Sequence, residues 1–169
     1  MTRDFFPIPM PGIDGRLAIA ARPRGGDWLN DDLSKWQRAG FNTIVSLLTE
    51  SEIDEFELHG EEEIARTLGL DFASFEIEDR GLPSDSLAFA ELALAIAESV
   101  RLGRSVLVHC RQGIGRASLL AVAAMVSLGS TPGDAIEAAT LARGVPVPET
   151  DAQRAWLRTF RLPNATVSP

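Results

Sequence analysis

The sequence predicts an α/β fold: one domain built on a central, mainly parallel sheet of four to five strands flanked by helices. Three observations carry this. Short apolar runs alternate with longer stretches of helical periodicity from Leu17 to Phe160. The runs at Asn42–Leu48 and Ser105–Val108 are almost continuously apolar, as strands covered on both faces are. A chain of 169 residues suits a single domain with a proper core.

The elements follow in order. Leu17–Ala20 reads as the first strand; nothing regular is read into Met1–Gly12, which carries Pro7, Pro9 and Pro11. Arg22–Gly26 is a loop. Asn30–Ala39 reads as a helix, with Trp28, Leu33 and Trp36 as packing residues and Gly40 as its stop. Asn42–Leu48 is the second strand. Thr49, with Glu52 three residues on, has the capping-box pattern and opens a helix. His59-Gly60 interrupts it, Glu61–Leu68 continues helical, and Gly69 ends it. Asp71–Ile77 alternates as a third strand. Glu78–Pro83 is rich in turn residues. Ser84 is the expected cap of a helix over Asp85–Leu102, with Glu91 and Glu98 marking a narrow wet stripe. Ser105–Val108 is the fourth strand, and Leu119–Val126 lies in the helix behind it. Pro132 opens another helix from its first position, ending near Gly144. Val145–Pro148 is a stiff connector. Thr150 and Gln153 cap the last helix, which carries Trp156, Leu157 and Phe160.

Composition narrows the function. With 45% hydrophobic and 24% charged residues, the chain reads as globular and soluble. No apolar run has the length of a membrane span or of a signal-peptide core. One cysteine fits a reducing compartment, so a cytoplasmic location is expected. The net charge of −8 argues against nucleic acid or an anionic membrane as partner. No metal-ligand cluster stands out, and no cofactor is expected.

The stretch that carries chemistry is His109-Cys110-Arg111-Gln112-Gly113-Ile114-Gly115-Arg116, set between a strand and a helix. Successive N–H groups in a tight loop converge on anions. A helix start adds unpaired N–H groups and the positive end of its dipole. An arginine fork grips two oxygens of a tetrahedral oxyanion. Cysteines in such fields ionise with pKa values of roughly 3.5–7.5, and the thiolate is the nucleophile. The dull reading, an inert core thiol, leaves the five-residue spacing to the arginine unexplained.

At these residues the chain resembles the cysteine-dependent protein-tyrosine and dual-specificity phosphatases, whose signature is His-Cys, five residues, then Arg. The resemblance covers roughly residues 40–160. It implies a phosphatase-like catalytic domain over 1–162 with a tail over 163–169. It also implies that Cys110 is the nucleophile and Arg116 the phosphate clamp. The backbone amides of Arg111, Gln112, Gly113, Ile114, Gly115 and Arg116 would form the cradle. Asp79, opening Asp79-Arg80-Gly81-Leu82-Pro83 after a strand, looks like the family's general acid; Asp85 is its rival, with a first-turn acid favoured by the helix dipole as the alternative. Gln153 resembles the residue that orients the hydrolytic water, and a capping-box role is equally compatible with its position. The family's hydroxyl after the arginine is Ala117 here, with Ser118 next.

The expected reaction is hydrolysis of a phosphomonoester, on a phosphorylated protein or a small phosphate ester, through a phosphocysteine. The rivals are a phosphate-recognition module without turnover and a rhodanese-like sulfurtransferase or arsenate reductase. His109 is expected to pack and to hydrogen-bond backbone, and His59 to lie on the surface.

Overall fold

The computed structural model describes residues 3–163. Five strands form one sheet: β1 (Phe6–Ile8), β2 (Arg16–Ala21), β3 (Thr43–Ser46), β4 (Asp71–Ser74) and β5 (Ser105–Cys110). Their spatial order is β1-β2-β5-β3-β4. All pairs are parallel except β1 with β2. The α/β class and the mainly parallel sheet are as the sequence predicts; the cysteine strand β5 lies at its centre. The expected tail lies outside the described residues from 164 onward.

Among the described residues seven helices cover the two faces: α1 (Leu29–Arg38), α2 (Glu50–Glu55), α3 (Glu61–Thr67), α4 (Ser86–Arg101), α5 (Arg116–Ser127), α6 (Pro132–Arg143) and α7 (Asp151–Thr159). A 3-10 turn at Gly26–Trp28 leads into α1. Alternation along β5 divides the core. Val106, Val108 and Cys110 point to the face covered by α4–α7, where Phe89, Leu119, Leu120 and Leu157 pack. Leu107 points to the other face, against Leu33 and Trp36 of α1 and Ala65 of α3. His109 shares that face, with its ring 5.9 Å from that of Trp36.

Four expectations need correction. β1 forms where no element was read: Pro7 is tolerated because β1 is an edge strand needing bonds on one side only. The strand expected over Asp71–Ile77 stops as regular ladder at Ser74. Its backbone still runs beside β3, with Phe75 N–H donating to Ser46 O and Ile77 N–H to Leu47 O. Asp85, not Ser84, caps α4, its carboxylate accepting from Ala88 N–H at 3.0 Å; a carboxylate at that end also meets the helix dipole favourably. Trp28 is exposed rather than packed, and carries the Arg24 guanidinium over its ring at 4.6 Å.

Candidate active site

The loop from Arg111 to Gly115 joins the carboxyl end of β5 to the start of α5, where parallel sheets place ligands. Gly113 makes its path possible. It sits at φ +69°, and a Cβ there would lie 2.5 Å from the Ala20 carbonyl carbon of β2. Arg22 N–H donates to Arg111 O at 3.3 Å, extending the β2–β5 ladder into the loop. Arg143, at the end of α6, holds the outer carbonyls, donating from Nε to Gly113 O at 3.1 Å and from Nη2 to Gln112 O at 3.3 Å. The carbonyls of Arg111, Gln112 and Gly113 are thus each tied to a donor. Among the described residues none of the backbone N–H groups from Arg111 to Arg116 finds a protein acceptor. Cys110, at the base of this loop, is 3% exposed.

Arg116 is the largest fully buried side chain of the described residues, 1% exposed. Its two terminal nitrogens each donate to a Glu52 oxygen at 2.7 Å, an end-on bidentate pair. Nη1 also donates to Ile77 O at 2.8 Å. Nη2 donates to Asp79 Oδ1 at 3.2 Å. Nε, on the same side as that bond, has no acceptor among the described residues. The end of the guanidinium is therefore fixed by Glu52, and on its side Nη2 is held by Asp79, which leaves the Nε N–H as the one guanidinium donor without an acceptor among the described residues. Burial pushes the Arg116 pKa down, but the Glu52 hydrogen bonds and the nearby Cys110, Glu52 and Asp79 charges hold it above its ordinary value.

The pieces the sequence singled out come together here. Asp79 reaches Arg116 from the loop after β4 and is half exposed. Gln153, fully buried at the start of α7, does what the capping box requires: Thr150 Oγ1 accepts from Gln153 N–H, and Gln153 Oε1 accepts from Thr150 N–H. Its Nε2 meanwhile donates to Gly81 O at 3.0 Å, which fastens the Asp79 loop. Its amide also lies 3.3 Å from where a Gly115 Cβ would stand. Arg80, at φ +61°, pairs with Glu149 at 2.7 Å and ties the same loop a second time. Asp85 caps α4 and takes no part. Ser118 Oγ is buried without a partner among the described residues, so it makes no hydrogen bond to Cys110. His59 is exposed and pairs with Asp54.

Two partners escaped sequence reasoning. Glu52 was legible as a cap and not as the counter-charge of Arg116; a buried arginine needs an acid, and sequence alone did not single one out. Glu61 accepts or shares a hydrogen bond with His109 Nε2 at 2.6 Å inside the core. The expectation that His109 bonds backbone holds only for Nδ1, 3.4 Å from Cys110 O.

Comparison with known proteins bears on the fold and the family. No curated protein sequence matched the chain. Among solved structures it is similar to kinase associated phosphatase with its catalytic-site cysteine replaced by serine (20% identity, TM-score 0.84, 93% of each chain). It is similar to Tk-PTP in the active form (25% identity, TM-score 0.69, 88% of this chain and 95% of that one). It also resembles the human tyrosine phosphatase-like serine/threonine/tyrosine-interacting protein (18% identity, TM-score 0.68, 92% and 95%). Residues 17–157 match the family model described as "DSP-PTPase phosphatase fused to NAD+ Kinase", and the chain belongs to that family of dual-specificity-type phosphatases.

Proposed function

We propose that the protein is a metal-independent phosphomonoesterase that works through a phosphocysteine. The observation that carries this is the set of loop N–H groups from Arg111 to Arg116 without a protein acceptor, in the loop that follows Cys110, together with the unpaired Nε of the buried Arg116. A phosphoryl group's three non-bridging oxygens match such a set of donors, and preorganised donors stabilise the charge that builds up in the transition state. In the first step the Cys110 thiolate attacks phosphorus and the ester P–O bond breaks. Asp79 gives its proton to the departing oxygen. In the second step water attacks the phosphocysteine, its proton passes to Asp79, the S–P bond breaks and phosphate leaves. The Asp79–Arg116 contact at 3.2 Å supports the acid role, since it sets the carboxyl beside the guanidinium that this reading takes as the phosphate clamp. The Gln153 amide beside Gly115 supports a water-orienting role, with Gly81 O as its resting partner.

The same reading takes residues 1–162 as one catalytic domain and places the protein in the cytoplasm. No helix among the described residues is long and apolar enough to cross a membrane. The test is phosphate release from phenyl phosphate. Wild type releases phosphate and Cys110→Ser does not; equal release by both rejects the nucleophile. Phosphate binding without release would make the protein a recognition module, and thiosulfate turnover would make it a sulfurtransferase.

A further inference from the structure

A cavity of about 510 Å³ opens where β2 ends, and no residue of the Cys110–Arg116 loop lines it. Arg3, Arg22, Arg24, Lys35 and Arg143 do, against two carboxylates, Asp4 and Asp32. The charge of Asp31 also acts on Arg24, and cations still outnumber acids. This excess stands in a chain of net charge −8. Asp32 is already used: Arg24 pairs with it at 2.6 Å and Lys35 at 3.4 Å. Arg3, Arg22 and Arg143 make no ion pair among the described residues. Walls of low dielectric around uncompensated charge of one sign focus the field on small ions of the other.

Three of these guanidinium groups are already held, unlike those of solvated surface arginines. Arg143 donates to the carbonyls of Gly113 and Gln112 and lies over the Phe6 ring at 4.2 Å. Arg22 donates from Nη1 to Pro23 O at 3.0 Å and lies over the Phe56 ring at 3.8 Å. Arg24 is gripped by Asp32 and lies over the Trp28 ring at 4.6 Å. The holds leave donors over: Nη1 of Arg143, and Nε and Nη2 of Arg22, have no acceptor among the described residues. Cations fixed before a ligand arrives lose little side-chain freedom in binding it. Arg3 precedes β1, Arg22 and Arg24 follow β2, Lys35 lies on α1 and Arg143 ends α6. Their convergence is a product of the fold, not of a local run of charge.

We propose that this cavity is an anion site in its own right, separate from the Cys110 loop, and that its ligand is a small soluble molecule carrying two or more phosphoryl groups. The volume is that of a small-molecule site. Arg3, Arg22 and Arg143, the cations without a carboxylate partner, offer more charge than one phosphoryl group of about −2 neutralises. The overall charge of −8 opposes a nucleic acid or an anionic bilayer, whose charge extends past the cavity, whereas a small polyanion meets only the local field. The site does not depend on chemistry at Cys110, because the cavity and the loop share no lining residue.

The test is a titration of the full chain, carrying Cys110→Ser to prevent turnover, with inorganic tripolyphosphate, followed by proton–nitrogen NMR. The Trp36 indole N–H and the Arg22 and Arg143 Nε–H report the cavity; the Ile114 and Gly115 amides report the loop. The cavity signals should move with a Kd of their own. Adding Arg22→Gln should raise that Kd about tenfold, the worth of one charge-assisted contact, with the loop Kd held within about twofold. Adding Lys35→Gln should raise it by a smaller factor. Orthophosphate should bind the cavity at least about tenfold more weakly than tripolyphosphate. Cavity signals that stay still, or a cavity Kd that neither substitution raises, overturn the proposal. Orthophosphate binding as tightly as tripolyphosphate overturns the polyphosphate class, and movement only with a long polyanion such as heparin overturns the small-molecule assignment. These signals read the cavity whether or not Cys110 is a nucleophile, so failure here is distinct from failure of the phosphatase reading.

Discussion

Replacing Glu52 by glutamine removes the charge that compensates Arg116 while keeping the side chain's shape. Both Glu52 oxygens accept from the guanidinium at 2.7 Å, and Oε2 also accepts Thr49 N–H at 2.9 Å. The pair is buried, and removing one partner of a buried pair costs about 3–5 kcal/mol, because the other charge is left without compensation. The amide oxygen in Glu52→Gln still accepts one N–H, and Asp79 remains 3.2 Å from Nη2. The expected loss is therefore at the lower end, about 3 kcal/mol, or roughly 6–12 °C in Tm for a domain of this size. Urea unfolding at pH 7 measures it: the midpoint should fall with the slope unchanged. The pH dependence has a definite sign. Burial pushes the Glu52 carboxyl up, but hydrogen bonds from Arg116 and Thr49 outweigh burial and hold its pKa below the ordinary 4.5. A lowered folded-state pKa means stabilisation that is complete above the unfolded value and lost as pH falls through the folded one. The gap between wild type and Glu52→Gln should thus be widest above pH 4.5 and close on acidification. A loss under about 1 kcal/mol at pH 7, the range of an exposed pair, or a gap that widens in acid, refutes the reasoning.

Other outcomes follow from the same geometry. Gly113→Ala puts a Cβ 2.5 Å from the β2 backbone at a positive φ. The left-handed conformation alone costs an alanine about 1–2 kcal/mol. The clash adds to this, so urea unfolding should show a loss above about 2 kcal/mol, with phenyl phosphate turnover lowered as the cradle shifts. Asp79→Asn should lower turnover of alkyl phosphates by about 10²–10⁴-fold and that of phenyl phosphate far less, since a phenoxide leaves without much help. Equal losses on both substrates, read from initial rates, would remove Asp79 from the acid role.

The parts of this fold that are legible in the sequence are those where local chemistry and burial agree. The Ser105–Val108 run is apolar because β5 is covered on both faces, and all six of its residues are buried. Thr131 and Pro132 open α6 as their types dictate, with Thr131 accepting from Asp134 N–H. The Cys110 loop was legible because one spacing, five residues, sets the only cysteine and a cation, Arg116, at the two ends of a loop between a strand and a helix. What escaped depends on distant chain segments. Pro7 argues against a strand until β2 is known to need only one row of bonds from it. Glu61 looks like one of three consecutive acids, Glu61, Glu62 and Glu63, on a wet helix. Only the packing of α3 under β5 turns the first of them inward to His109. Arg143 reads as a favourable last-turn cation of α6; that it also closes the outside of the phosphate loop depends on where α6 ends in space.

Glu52 and Gln153 have something in common that bears on how such a site is built. Each is the N3 residue of a capping box, at the start of α2 and of α7. Each also holds a part of the proposed site: Glu52 fixes the end of Arg116, and Gln153 fastens the Asp79 loop at Gly81. The economy is chemical. A carboxylate has two oxygens with about four acceptor positions, and an amide has an acceptor at one end and donors at the other, so a cap uses only part of either. A capping box also immobilises its side chain from both ends, which gives a positioned group the rigidity a preorganised site requires. The same bonds couple helix formation to the arrangement of these residues: α2 cannot fray without loosening Arg116, nor α7 without releasing the Asp79 loop. Reading one role per residue, the sequence yields the caps and hides the second role. The useful rule is therefore to ask of every buried cap which of its polar atoms the helix leaves free.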